Sequence, residues 1–337
     1  MSPERPTGFH EGERAVQLRT GVTAEADRLS GMLDPPSLDG GAHRFLAAQE
    51  FAVFAARDAS GRLWASPIVA PEGFLDARGQ TLTVKALPAA GDPLSAMPAG
   101  QSIGVIAIDF ARRRRLRVNG TLVTSDETGF TINVDQAYGN CPQFIHRREI
   151  HSSTAENQAR PVASVERGSA LTEPQRLLIG RADTFFLGTT HPSRGNDASH
   201  RGGPPGFVQA TAHELWWPDY PGNNMFNSLG NLTVDATTGI LFLDFTNGDT
   251  LHLSGTATIE WDPPDSPKDD AHTGRGVRFV VNDVIHLPGA LHARFTHPEP
   301  RPHTFDLAGW RPQAGTGRGR QNRLRVSNVS RDLKGDR

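Results

Sequence analysis

With a single cysteine, Cys141, in 337 residues, the chain has no intramolecular disulfide and no thiolate set for an iron–sulfur cluster or a cysteine-rich zinc site. No run of about 18 apolar residues occurs, which excludes an ordinary membrane-spanning helix. The opening MSPERPTGFHEGER lacks the apolar segment of a secretory signal, so a cytoplasmic location is expected. An excess of charge is missing too. The 35 Lys+Arg and 37 Asp+Glu leave a formal charge of -2, so no broad field draws nucleic acid or an anionic membrane. The 13 histidines are scattered without an HExxH, no GxGxxG follows a strand, and no catalytic triad or carboxylate pair stands out. A dedicated metal site is therefore not expected, and partners must be recognised by local features.

What is present is a repeat. GVIAIDFARRRRLRVNGT, from Gly104, aligns without gaps on GILFLDFTNGDTLHLSGT, from Gly239, at a constant offset of 135 residues. Gly, Asp, Phe, Leu, Gly and Thr match in place. Each copy reads as an apolar run ending in Asp-Phe, a polar turn and then alternation, which is a β-hairpin with a buried face. FAVFAA (51–56) corresponds to TFFLGT (184–189), and TLTVKA (81–86) to HELWWPDY (213–220). The expected fold is mainly β (α+β), with two tandem antiparallel barrels, the first over 40–150 and the second over 175–300. A helical extension over 1–39, a linker over 151–174 and a tail over 301–337 complete the chain. AEADRLSGML, with Ala24, Leu29, Met32 and Leu33 on one face, and PQRLLIGRAD, with proline near its first turn, read as helices.

The segment DASHRGGPPGFV (197–208) reads as a glycine- and proline-rich loop equivalent to DASGRLWASPIV in the first copy. Gly202 and Gly203 permit close backbone approach, and His200 and Arg201 offer donors suited to an anion. Downstream, Asn223, Asn224, Asn227 and Asn231 with Ser228 supply uncharged donors, a density that suits a phosphate-bearing ligand. Arg112 to Arg115 fall at a hairpin turn, where a solvated cluster outweighs nucleic-acid binding. Cys141 and the tryptophans Trp216 and Trp217 read first as packing.

The succession FFLGTT, DASHRGGPPGFV, WWPDYPGNN, SLGNL, GILFLDF and LHLSGTATI, with RLRVNGTLV and VDQAYGNCPQFIHRRE in the first copy, resembles the pyridoxamine 5′-phosphate oxidase-like family of FMN-binding split barrels. The resemblance implies FMN in a groove between two barrels, here both in one chain as an internal pseudo-dimer. It implies that Ser199, His200, Arg201, Gly202 and Gly203 contact the ring system and ribityl chain. Asn223, Asn224, Ser228 and Asn231 would lie nearer the phosphate, and Trp310 could stack on the ring. Only the second copy keeps the glycine-bearing segment and only the first keeps the Cys-Pro pair. Asn140, Cys141, Pro142 and Gln143 are thus expected to approach the same, single cofactor across the barrel interface. The implied function is an FMN-dependent oxidoreductase acting on a small molecule, with NAD(P)H as a possible electron donor. Vitamin B6 oxidation itself is not assigned, because the tandem organisation departs from the shorter single-barrel oxidases. A deazaflavin in place of FMN, a carrier or sensor without turnover, and haem held by His200 or His286 stay open, as does monomer against homodimer.

Overall fold

The computed structural model describes residues 7–139, 142–152, 164–261, 273–291 and 293–299. Asn140, Cys141 and Trp310, three expected site residues, lie outside them. The first copy supplies β1 (Phe51–Arg57), β2 (Leu63–Val69), β3 (Leu75–Arg78), β4 (Thr81–Val84), β5 (Ser102–Asp109), β6 (Arg114–Asp126) and β7 (Gly129–Gly139). Short strands β8 (Ile150–Ser152) and β9 (Glu166–Gly168) follow. The second copy supplies β10 (Thr184–His191), β11 (Gly195–Gly202), β12 (Gln209–Ala210), β13 (Glu214–Pro218), β14 (Thr237–Leu243), β15 (Thr250–Trp261), β16 (Arg275–Leu287) and finally β17 (Ala293–Phe295). The antiparallel sheets run β2-β1-β5-β6-β7-β4-β3 and β11-β10-β14-β15-β16-β13-β12, the same order strand for strand, with β9 added to β16 and β8 paired to β17. The fold is mainly β, two tandem split barrels with flanking helices.

Period-two alternation explains why the central strands read as unbroken apolar runs: both faces are buried. In β1, Ala52, Phe54 and Ala56 join the first barrel's core, whereas Phe51, Val53 and Ala55 join Ile106 and Ile108 of β5, Phe186 of β10, and Leu241 and Leu243 of β14 in a third core between the barrels. The matched glycines of the repeat sit where this arrangement leaves no room. A Cβ on Gly104 would lie 2.7 Å from the Ala198 amide nitrogen, and one on Gly239 would lie 2.8 Å from the Trp64 Cα. The same close approach, β11 on β5 and β2 on β14, is thus made twice. The matched Gly120 and Gly255 mark equivalent register shifts after Asn119 and Ser254, β-bulges that bend β6 and β15. A Cβ on Gly188 would lie 3.0 Å from that of Ala55, its counterpart in the first copy. Contact between equivalent positions marks the pseudo-two-fold axis.

Two expectations change. Asp197 to Gly202 is not loop but the outer strand β11, paired with β10 from Thr184↔Gly202 to His191↔Gly195. Compared with Phe51↔Val69 in the first copy, this register sets DASHRG against WASPIV rather than against DASGR; the two DAS tripeptides share letters but not place. The helix expected over 24–33 is broken into Thr23–Asp27 and a 3-10 turn at Ser30–Leu33. PQRLLIGRAD does form a helix, Glu173–Arg181, where the Gln175 side chain accepts from the Thr172 amide. The helix Glu11–Arg19 falls in the helical extension expected over 1–39, whereas Gly41–Ala47 and Asn227–Val234 were not expected as helices. The first and last cross with Gly12 against the Gly230 carbonyl, so closely that a Cβ on Gly12 would fall 2.1 Å from that oxygen.

Candidate functional site

Where β11 lies against β6, a cleft of about 460 Å³, open mouth included, is lined by Arg115, Gln143, Phe144, His200, Arg201, Gly202, Phe207, Trp217, Pro218, Tyr220, Pro221 and Gly222. Both barrels contribute: Arg115, Gln143 and Phe144 come from the first, the rest from the second. The Phe144 and Tyr220 rings stack at 4.9 Å, and a Cβ on Gly222 would meet nothing within 4 Å, so that wall is open. The Phe144 carbonyl lies so close to Gly202 that a side chain there would collide with it at 2.0 Å. Glycine at 202 is required to let the segment after Gln143 reach β11.

The polar end of the cleft is cationic. Arg115 Nη1 lies 3.0 Å from His200 Nδ1. Asp219 accepts from Arg201 Nη1 at 3.3 Å and from Arg275 Nε at 3.0 Å, so the carboxylate sits between the two guanidiniums and holds Arg201 in place. Arg201 Nε and His200 Nε2 are buried and have no hydrogen-bond partner among the described residues. Burial, reinforced by Arg115, His146, Arg148 and Arg201, pushes His200 well below the usual imidazole range and keeps the ring neutral. Behind it Arg148 reaches both Asp183 oxygens at 2.6 Å, and His146 lies 3.2 Å from the Gly203 carbonyl.

Along the groove the chemistry turns inward. Asp197 is buried between Arg117 Nη1 at 2.8 Å, Asn119 Nδ2 at 3.2 Å and Ser228 Oγ at 3.4 Å, and Ser228 Oγ lies 3.1 Å from Ser199 Oγ. Asn231 donates to Thr189 Oγ1 at 2.9 Å, and its carbonyl faces His10 Nε2 at 3.0 Å. Asn227 donates to Glu13. These amides seat the N-terminal helix on the second barrel.

Of the expected site residues, the cleft brings together His200, Arg201, Gly202 and, from across the interface, Gln143. Pro142 lies next to Gln143 and is exposed. Gly203 backs onto the Phe207 ring, 2.5 Å from where its Cβ would be. Ser199, Ser228 and Asn231 lie in the buried network. Asn224 adopts a left-handed φ of 62°, and the Asn223 side chain accepts from the Met225 amide at 3.2 Å. Sequence reasoning missed Arg115, which was grouped with the solvated turn. Arg112 is indeed solvent-exposed and paired with Asp109, but β6 begins at Arg114 and turns Arg115 into the cleft. The alternation of LRV after the arginine run was the available signal.

The pseudo-equivalent groove, β2 against β14 and β15, differs at each of these positions. Arg115, Arg117 and Asn119 correspond to Thr250, His252 and Ser254 by the repeat offset; His200 and Arg201 correspond to Pro67 and Ile68 by strand register. Ser66 Oγ donates to Asp92 at 2.6 Å, and His252 lies 2.9 Å from the Ala65 carbonyl and 3.6 Å from Asp92. Ser66 and His252 are fully buried and Asp92 nearly so. At these residues that groove is closed by protein.

His10, Glu11 and His191 bring ligand atoms within 4.8 Å of one another, the geometry of a metal cluster. The hydrogen bonds oppose it. Gly12 N–H donates to His10 Nδ1 and Ser193 N–H to His191 Nδ1, so each neutral ring carries its proton on Nε2, the nitrogen that would have to bind the metal.

No family model matches the chain, and no curated protein does. Similar solved structures include HupZ of Group A Streptococcus, at 11% identity over 33% of this chain and 90% of that one, with a TM-score of 0.28. A Clostridium acetobutylicum protein related to general stress protein 26 of B. subtilis (pyridoxinephosphate oxidase family) is 13% identical over 36% of this chain and 89% of that one, TM-score 0.25. HutZ, the haem storage protein of Vibrio cholerae, is 10% identical over 35% of this chain and 94% of that one, TM-score 0.27. Among the described residues no helix is long and apolar enough to cross a membrane.

Proposed function

We propose that the protein binds one FMN per chain in the cleft between β6 and β11 and works as a flavin-dependent oxidoreductase on a small molecule, with NAD(P)H as electron donor. The observation that carries this reading is the pair of buried nitrogens without a partner among the described residues, Arg201 Nε and His200 Nε2, at the cationic end of a cleft walled by Phe144, Phe207, Trp217 and Tyr220. Buried donors without partners cost free energy that an oxygen-rich anion would recover, and flat apolar walls suit a fused aromatic ring. Arg115 and Arg201 would meet the phosphate, Arg201 pre-set by Asp219. The residues after Pro142 would close one side of the site, which accounts for the contribution of both barrels.

Bound FMN would supply the hydride or electron chemistry. The chain's part is to orient it, exclude water through the aromatic walls and supply hydrogen bonds, which is compatible with the lack of a catalytic triad. A single site per chain follows from the closure of the mate groove by protein around Asp92 and His252. The test is a titration with FMN and with riboflavin, which lacks the phosphate. One FMN per chain, bound at least tenfold tighter than riboflavin, is expected if the anion contact is worth about 1.5 kcal/mol or more; no flavin binding, or two equivalent flavins, overturns the reading. NAD(P)H oxidation by the FMN-loaded protein then separates an enzyme from a carrier.

A further inference from the structure

We infer that Arg115 locks His200 in the Nε2–H tautomer, so that the cleft offers a neutral N–H donor to an acceptor oxygen of its ligand and His200 is closed to iron. A guanidinium has donors only. Its Nη1 at 3.0 Å from His200 Nδ1 therefore requires a lone pair on Nδ1, and the one proton of a neutral imidazole sits on Nε2. Double protonation would set an N–H of the ring against an N–H of Arg115, with Arg148 and Arg201 also facing the ring. Arg115 acts through His200 and is in that respect a positioning residue.

The consequence lies at Nε2. It is buried, it must be a donor, and it has no acceptor among the described residues. A ligand completing the site places an acceptor oxygen there; that this oxygen belongs to FMN rests on the function proposed above, whereas the tautomer does not. Iron ligation needs the reverse polarity, a bare nitrogen on the metal and an N–H on the far side donating to an acceptor. His286 has the opposite arrangement at Nδ1: that nitrogen lies 2.9 Å from Glu166 Oε2, which accepts only, so Nδ1 carries a proton, and Nε2 faces Asp249 at 3.8 Å. The two histidines that could serve haem in the sequence are thus of opposite kinds, and the one in the cleft is the wrong kind.

Long-range ¹H–¹⁵N correlation on protein labelled at histidine reads the tautomer without any ligand, with His200 assigned by the signals lost in both His200→Gln and His200→Asn. We expect a bare Nδ1 and a protonated Nε2 at pH 7, and both tautomers in Arg115→Met. A wild-type ring protonated at Nδ1, or at both nitrogens, overturns the inference. The amide of glutamine can stand in for Nε2–H, and that of asparagine only for Nδ1. FMN affinity should therefore hold within a few-fold in His200→Gln and fall roughly tenfold or more in His200→Asn; the reverse order also overturns it. If wild-type protein binds no FMN, the proposed function fails while the tautomer measurement still decides the inference. Titration with hemin supplies the remaining arm: its absorption spectrum should be the same in wild type and His200→Gln, and a histidine-ligated spectrum lost in His200→Gln refutes the exclusion of iron.

Discussion

Adding one methyl group at each of two equivalent glycines separates the stability of the barrel interface from the integrity of the cleft. In Gly104→Ala the new Cβ would stand 2.7 Å from Ala198 N and 2.8 Å from Asp197 Cα, where ordinary contact begins at 3.4 Å. Backbone cannot rotate aside as a side chain can, so β11 must retreat from β5 by roughly half an ångström or more, an overpacking cost of about 1–3 kcal/mol. Reduced freedom of the unfolded chain returns about 0.4–1 kcal/mol. A net loss of about 1–2 kcal/mol is expected, readable as a lower urea midpoint with unchanged slope. Gly239→Ala meets Trp64 Cα at 2.8 Å and should lose a similar amount. The two differ in what moves. Gly104→Ala displaces the strand carrying His200 and Arg201 and should weaken FMN binding about tenfold or more, whereas Gly239→Ala strains only the closed groove and should leave affinity within about twofold. Equal affinity losses in the two variants, or full stability in Gly104→Ala, would refute the reasoning.

Arg201→Ala should lower FMN affinity about ten- to a hundredfold, the worth of a charge-assisted contact, whereas Arg112→Ala removes only an exposed pair with Asp109 and should change neither affinity nor, beyond about 0.5 kcal/mol, stability; isothermal titration of both variants checks this. Burial, opposed by hydrogen bonds from His10 and Asn227, pushes the Glu13 carboxyl up to about 7. The folded chain then keeps a proton that the unfolded chain releases, so this contribution is complete below about pH 4.5 and is lost as pH rises through about 7, by up to about 3 kcal/mol. Denaturation of Glu13→Gln from pH 4.5 to 8 should show the variant gaining on wild type as pH rises, and parallel curves would count against a buried protonated Glu13. Burial holds His10 down to about 4, so its contribution runs the other way and is lost as pH falls from about 6.5 toward 4. Gly230→Ala, whose Cβ would press on Glu13 N at 2.6 Å, should unseat the helix Glu11–Arg19; faster proteolysis within residues 11–19, with the barrels intact, is the expected outcome.

The duplicated hairpin, the barrel count and the equivalence of β1 with β10 and of β4 with β13 were set by sequence, but not that of β2 with β11, because strands buried on both faces leave unbroken apolar runs and matched glycines mark matched steric crises, whereas a polar outer strand leaves neither. The helix Glu173–Arg181 was equally legible from the proline near its first turn. Tertiary structure decided what the polar residues do. Asp197 to Arg201 carry the composition of a loop, yet they form β11 because that strand borders a groove between barrels, where polar side chains meet partners from the other copy; local propensity has no access to those partners. Likewise Ser228 and Asn231 look like free donors in the chain, and only the docking of the N-terminal helix, through His10 and Glu13, engages their neighbourhood. Arg115 and Arg112 are alike in sequence, and a strand starting at Arg114 separates a cleft residue from a solvated one. Which of two duplicated grooves remains open was settled by side chains distant along the chain, Asp92 and His252 in one and Arg115, His200 and Arg201 in the other, because a cleft is a relation between elements and no single segment encodes it.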